Sequence, residues 1–261
     1  MKFSLISYNT LFNGAIKELP NILSQHQPDI ICLQEILTEE KNLKSIEEYG
    51  YRLADAANGF VSFGRIYGVA TYYNPKTVAF KKSKTLNINT NISEYFFFIL
   101  RILLGYNQPK VILKTDFTHK KTKKHLSVCN VHLYVIGSNE ARVNHLNYAL
   151  NSINFVKNPL MIFCGDFNYF PYRRKKLEKT MLKHHLKEAT KNIRQTMNII
   201  QEGILEKFTR FQRALIPFFN RFVVKHIKTD YIFYRGFRLV KTEKIPNRHS
   251  DHYPILSIFS I

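Results

Sequence analysis

Acidic residues are scarce in this chain of 261 residues: 19 Asp and Glu stand against 39 Lys and Arg, giving a formal charge of +20 and a sequence pI near 9.8. A charge that large repels itself unless a polyanion is near, so nucleic acid and an anionic membrane surface are the leading partner classes. A basic bias of the source proteome is the bland alternative. Cysteine is nearly as sparse. Cys32, Cys129 and Cys164 are odd in number, widely spaced and embedded in apolar runs (DIICLQEI, LSVCNVHL, LMIFCGDF). That pattern argues against a disulfide framework or a zinc site, and predicts buried reduced thiols and a cytoplasmic location.

Long apolar runs are missing too. The most apolar stretch, YFFFILRILLGY from Tyr95 to Tyr106, is interrupted by Arg101 and falls well short of the ~20 residues that cross a bilayer. It reads as a buried helix or strand, as an apolar loop dipping into a membrane interface, or as a wall of a substrate cleft. The opening MKFSLISYNTLFNG carries no apolar core leading to a cleavage site, so no secretory signal is expected and the chain should begin at Met1. No Gly/Ser linker, low-complexity tract or internal repeat is visible, which predicts one domain over 1–261. With 45% hydrophobic and 14% aromatic residues, disorder, collagen-like repeats and coiled coil are excluded.

Short apolar runs with polar connections fill the chain instead. Phe3–Tyr8, Ile30–Leu33, Gly68–Tyr73, Val111–Phe117, Leu126–Leu133, Leu160–Cys164, Tyr231–Tyr234 and Ile255–Phe259 have the length and β-branched or aromatic content of strands. Helical spacing marks Ile16–Gln25, stopped by Pro28, and Asn139–Val156. The pattern predicts a sheet core of two layers flanked by helices.

Polar residues interrupt apolar strands only where they have partners or a task. Five places stand out: Asn9 after ISY, Glu35 after ICLQ, His132 after CNV, Asp166 with Asn168 in CGDFN, and Asp251 with His252 in HSDHYPI. Asp230 opens the strand TDYIF. Each alone is more often a turn or capping group. Their order and spacing, in SYNTL, PDIICLQEI, YGVATYY, CNVHL, CGDFN, TDYIF and SDHYPI, resemble the endonuclease/exonuclease/phosphatase family of metal-dependent phosphoesterases across residues 7–255. The resemblance implies an α+β fold, a four-layer α/β/β/α sandwich of two packed mixed sheets with outer helices.

A phosphodiester resists attack because its anionic oxygens repel a nucleophile, so the enzyme must neutralise charge, make hydroxide and hold the group in line. Hard oxygen ligands suit Mg²⁺, with Mn²⁺ as a substitute. The family pattern implies Glu35, helped by the Asn9 amide, as the principal ligand and Asp251 as ligand of a second or alternative ion. It implies Asp166 as the base for the attacking water and Asn168 as a donor to a phosphate oxygen. His252, hydrogen-bonded and charged by Asp230, would stand next to the phosphate. His132 would bind the phosphate as a second electrophile or help protonate the leaving oxygen. The set is complete, which argues against a fold kept only for binding. Arg142 stands where many family members carry an Arg, and reads as a phosphate contact or as an ordinary solvated helix charge.

Substrate choice lives in the loops. Two segments depart from the family pattern: an apolar insertion near 87–109, and a basic-aromatic extension near 201–228. In the second, Phe208, Phe211, Phe218, Phe219 and Phe222 interleave with Lys207, Arg210, Arg213, Arg221 and Lys225. Arg210, Arg213 and Arg221 would bind phosphates while the rings stack bases. The same composition suits a membrane-surface element, or an amphipathic helix packed on the body. Basic clusters at 119–125 (HKKTKKH) and 172–187 read as hairpin and helix surface with charge enough to hold a polyanion. SYNTLFNG and the absence of Trp depart from the apurinic endonucleases and argue against damage-specific repair. The expected function is Mg²⁺-dependent hydrolysis of nucleic acid by a cytoplasmic monomer. The alternative is a membrane-associated phospholipid, sphingomyelin or phosphoinositide phosphoesterase using the same site.

Overall fold

A computed structural model describes residues 1–86, 88, 110–134, 137–153, 159–170, 172–198 and 227–261. The apolar run at 95–106 and the extension carrying Arg210, Arg213 and Arg221 lie outside the described residues. Twelve strands among the described residues form two sheets of six. The first holds β1 (Lys2–Asn9), β2 (Ile30–Leu37), β3 (Arg52–Ser62), β4 (Arg65–Tyr73), β11 (Arg238–Lys244) and β12 (Ile255–Ser260), in the order β11-β12-β1-β2-β4-β3. The second holds β5 (Val78–Thr85), β6 (Val111–His119), β7 (His125–His132), β8 (Leu160–Asp166), β9 (Lys187–Glu188) and β10 (Asp230–Arg235), in the order β5-β6-β7-β8-β10-β9.

Both sheets are mixed, and both centre on one parallel pair, β1 with β2 and β7 with β8. Parallel neighbours need a crossover, and helices supply it. α1 (Leu19–His26) joins the first pair and α3 (Asn139–Asn151) the second. α2 (Glu40–Glu47) and α4 (Arg174–Lys183) follow β2 and β8. The helical spacing at Ile16–Gln25 resolves into a 3-10 turn, Ile16–Glu18, and then α1, whose second residue is Pro20; the left-handed Gln27 ends it just before Pro28. Ser138 caps α3 by accepting from the Ala141 N–H at 3.2 Å.

The central strands read as continuous apolar runs because both faces are covered. Leu5, Ile30, Cys32, Val128, Ile162, Cys164, Ile232 and Ile255 pack between the sheets. Ile6, Tyr8, Ile31 and Leu33 face outward against α1 and α2, while Val131, Met161 and Phe163 meet α3 and α4 on the other side. Four layers follow from that alternation. All three cysteines are buried and free. A polar bridge crosses the middle of the apolar interface: Gln34 donates to Asn130 Oδ1 at 2.7 Å, and Asn130 donates to the carbonyls of Leu33 and Ala70 at 3.0 Å each.

Candidate active site

The carboxyl-terminal ends of the two parallel pairs meet at one edge of the sandwich. β1 ends in Asn9, β2 reaches Glu35, β7 ends in His132 and β8 in Asp166. Glu35 gets its aim from a bulge: the β2–β4 register shifts between Gln34 and Ile36, and Glu35 takes a left-handed φ of 52°. Leu11, Phe12 and Asn13 follow β1 with φ of 48°, 50° and 66°. Three consecutive left-handed residues that are not glycine are costly, and here they wrap the carboxylate. The Phe12 N–H donates to Glu35 Oε2 at 3.2 Å, and the Asn13 N–H to the Glu35 carbonyl at 2.9 Å. Before Asp166, Gly165 has a φ of +136°, and a Cβ there would lie 2.0 Å from the Val131 carbonyl, so only glycine lets β8 approach β7 this closely.

Asp166 is the hub. Its Oδ1 accepts from the Asn168 N–H at 2.8 Å, and its Oδ2 accepts from Asn168 Nδ2 at 3.2 Å and Asn9 Nδ2 at 3.0 Å. The same Asn9 amide donates to Glu35 Oε1 at 3.2 Å, while Asn9 Oδ1 accepts from the Leu11 N–H at 3.0 Å. Asn9 therefore presents its nitrogen, not its oxygen, to the carboxylates in this arrangement. Asn168 adopts a left-handed φ of 48° and donates a second time to the Leu133 carbonyl at 2.7 Å.

His252 stands on one side of this hub. Its Nδ1 is 2.8 Å from Asp230 Oδ2, and its Nε2 is 3.8 Å from both Asp166 Oδ2 and Asp251 Oδ1. Burial opposes the imidazolium, but Asp230, Asp251 and Asp166 outweigh it and hold the pKa well above the ordinary value. Thr229 Oγ1 donates to the same Asp230 oxygen at 3.0 Å, and Ser250 ties the loop down by donating to the Asn9 carbonyl at 2.7 Å. On the other side, His132 Nε2 is 3.6 Å from Glu35 Oε1 and 3.9 Å from Asp166 Oδ2. Burial lowers its pKa, and among the described residues neither ring nitrogen has a hydrogen-bond partner. Burial, with the Asp251 charge behind it, pushes Glu35 up to about 7, and burial raises Asp166 as well.

Eight sequence-derived residues, Asn9, Glu35, His132, Asp166, Asn168, Asp230, Asp251 and His252, are thus brought together. Arg142 differs from the expectation of a solvated charge. It is fully buried, donating to the Tyr134 carbonyl at 3.3 Å and to Asn139 Oδ1 at 3.0 Å, with its guanidinium 4.9 Å from the Phe170 ring centroid. Sequence reasoning missed Thr229, Ser250, Phe12 and Phe60. Hydroxyls that orient a neighbour have no signature of their own, and Phe60, whose ring centroid lies 5.7 Å from that of His132, falls in a strand with little β pattern.

Buried carboxylates, amides and imidazoles are thus gathered at the strand ends of a two-sheet sandwich, an arrangement able to bind and polarise a phosphoester. The sequence pattern of the endonuclease/exonuclease/phosphatase family matches residues 6–252, and the chain belongs to that family. No curated protein matches it in sequence. Among solved structures, it is similar to the human Nocturnin catalytic domain with bound sulfate, at 16% identity and a TM-score of 0.71 over 99% of this chain and 94% of that one. D. rerio TDP2 complexed with single-strand DNA product gives 17% identity and a TM-score of 0.70 over 100% and 99%. A mannosyl-6-phosphatase of Bacteroides thetaiotaomicron gives 18% and 0.69 over 99% and 100%. These likenesses establish the fold. No helix among the described residues is long and apolar enough to cross a membrane.

Proposed function

We propose that this protein is a Mg²⁺- or Mn²⁺-dependent phosphodiester hydrolase that cleaves nucleic acid, using Asp166 as general base. The carrying observation is the Asp166 carboxylate, buried between two imidazoles and two amides and beside a second buried carboxylate. The residues fit a divalent cation: Glu35, Asp166 and His132 present ligand atoms within 4.8 Å of one another, and Glu35 is raised because no positive group faces it closely enough to offset its burial. Glu35 would be the principal ligand, with Asp251 as ligand of a second or alternative ion and the Asn9 amide bridging the Glu35 and Asp166 carboxylates. When bound, such an ion neutralises phosphate charge and makes water easier to deprotonate.

The chain's own groups supply the rest. Asp166 Oδ2, which lies between the two imidazoles and accepts from the Asn9 and Asn168 amides, is the oxygen that would take the proton of the attacking water. Water adds to phosphorus as the bond to the leaving oxygen breaks. His252, kept protonated by Asp230, donates from Nε2 to a phosphate oxygen, where charge accumulates. His132, kept neutral by burial, suits a hydrogen-bond donor to phosphate better than a proton source for the leaving group. Nucleic acid as substrate is supported by the +20 charge and by the likeness to a TDP2 solved with a DNA product. The test is hydrolysis of single- and double-stranded DNA and RNA, of anionic liposomes and of a soluble nitrophenyl phosphodiester, each with Mg²⁺, Mn²⁺ or chelator, beside Asp166→Asn. Metal-dependent cleavage of nucleic acid by the wild type alone is expected; full activity in chelator sinks the mechanism, and lipid turnover without nucleic-acid cleavage sinks the substrate.

A further inference from the structure

Next to His132 begins a row of aromatic rings that the catalytic reading does not use. Phe60 is tilted on the His132 imidazole at 5.7 Å, and stacks on its cross-strand partner Tyr67 at 5.6 Å. Phe12, from the left-handed loop that holds Glu35, lies edge-on to both, at 5.9 and 5.6 Å. Phe63 then meets Phe12 at 5.5 Å and 84°. The first three are wholly or partly buried, whereas Phe63 is 81% exposed. An edge-on contact on one side leaves ring face open to solvent.

The position of Phe63 is itself unusual. It occupies, with Gly64, the two-residue turn between β3 and β4, with φ of 50° and 71°. Such turns need positive φ at both residues and favour Asn, Asp or Gly; a bulky ring there is strained. Stability alone selects neither a strained backbone nor an exposed aromatic at this place. Both together, continuous with the catalytic imidazole, are what a substrate-binding element carries.

We propose that Phe63, backed by Phe12 and Phe60, is the stacking platform for a nucleobase of the substrate adjoining the reacting phosphate. The inference rests on the nucleic-acid reading above. A base is favoured as occupant because the row leads inward to His132 instead of ending as an isolated surface patch, and because the polyanion it belongs to is complementary to the +20 chain. Stacking on an aromatic face is tolerant of base identity, so the platform confers a requirement for a base without a sequence preference.

Two substitutions separate stacking from plain apolarity. Phe63→Leu keeps a greasy tip and removes the ring; Phe63→Trp keeps the ring. The probes are a short single-stranded oligonucleotide and the same oligonucleotide with abasic residues flanking the cleaved phosphate. Phe63→Leu should lower kcat/KM on the base-bearing probe by on the order of tenfold, mainly through KM, to the level the wild type shows on the abasic probe. Phe63→Trp should restore the difference. Unchanged discrimination in Phe63→Leu overturns the platform while leaving the nuclease reading standing. A wild type that hydrolyses a nitrophenyl phosphodiester but no oligonucleotide overturns both. Liposome flotation retained by Phe63→Leu and lost in Phe63→Asp, with oligonucleotide kinetics unchanged, assigns the tip to a membrane and also overturns the platform.

Discussion

His252 and His132 flank the same Asp166 oxygen at nearly equal distance, 3.8 and 3.9 Å, and are held in opposite charge states. The His252 half supplies its own counter-charge, since Asp230 bonds one imidazole nitrogen and Asp251 and Asp166 face the other. The His132 half does not. There burial raises Glu35 to about 7, burial lowers His132, and a phenyl ring covers the imidazole. Burial is common to both halves; partners decide which way each titrates. The half left short of positive charge is where a divalent cation has most to offer.

Removing the group shared by both halves should have the largest effect. Asp166→Asn is expected to lower kcat by ~10³- to 10⁴-fold with substrate affinity largely kept, as for loss of a general base, and steady-state kinetics check it. If more than about a tenth of the turnover survives, Asp166 is not the base.

The uncompensated half should show itself in stability. Glu35 has a folded pKa of about 7 against an ordinary 4.5. Its contribution is then fully present below 4.5 and lost as pH rises through about 7. Metal-free protein should lose on the order of 3 kcal/mol over that window, read as a falling Tm. Glu35→Gln should flatten the dependence, and divalent ions should raise Tm more at about pH 8 than at about pH 5, because protons compete for the ligand. A flat profile in the wild type breaks the contrast between the halves.

Asp230→Asn strikes the compensated half alone. It should cost on the order of 10² in kcat and move the basic limb of the pH–rate profile to lower pH, since a less supported His252 loses its proton sooner. His132→Ala should cost roughly tenfold and leave that limb in place, because the residue is already neutral. If both variants shift the limb alike, the two imidazoles are not electrostatically distinct.

The parts of the fold that could be read from sequence are its interior. All eight expected strands exist, and each is central or adjoins the centre of its sheet. The unread strands, β3, β5, β9 and β11, are the four sheet edges. Edge strands carry charge and leave residues exposed, as in VAFKKSKT and RLVKTEK, so the apolar signal that marks a covered strand is absent. α2 was unread for a similar reason, burying only Leu43 and Ile46. At the site, ionisable groups ending apolar runs were legible because burial of such groups demands an explanation. The left-handed path of Leu11, Phe12 and Asn13 was not, since nothing in those side chains prefers it.

The Gln34–Asn130 bridge has a consequence for how the protein comes to be active. Neither sheet holds a complete site: Asn9 and Glu35 belong to one, His132, Asp166 and Asp230 to the other. Apolar surfaces alone tolerate sliding, whereas a buried bond from Gln34 Nε2 to Asn130 Oδ1 at 2.7 Å, with the Asn130 amide bonded in turn to two carbonyls, accepts one alignment and is lost in its neighbours. Folding of either sheet by itself therefore yields no hydrolase. Activity arrives only when the sheets dock in register, and its return during refolding is a clock for that docking.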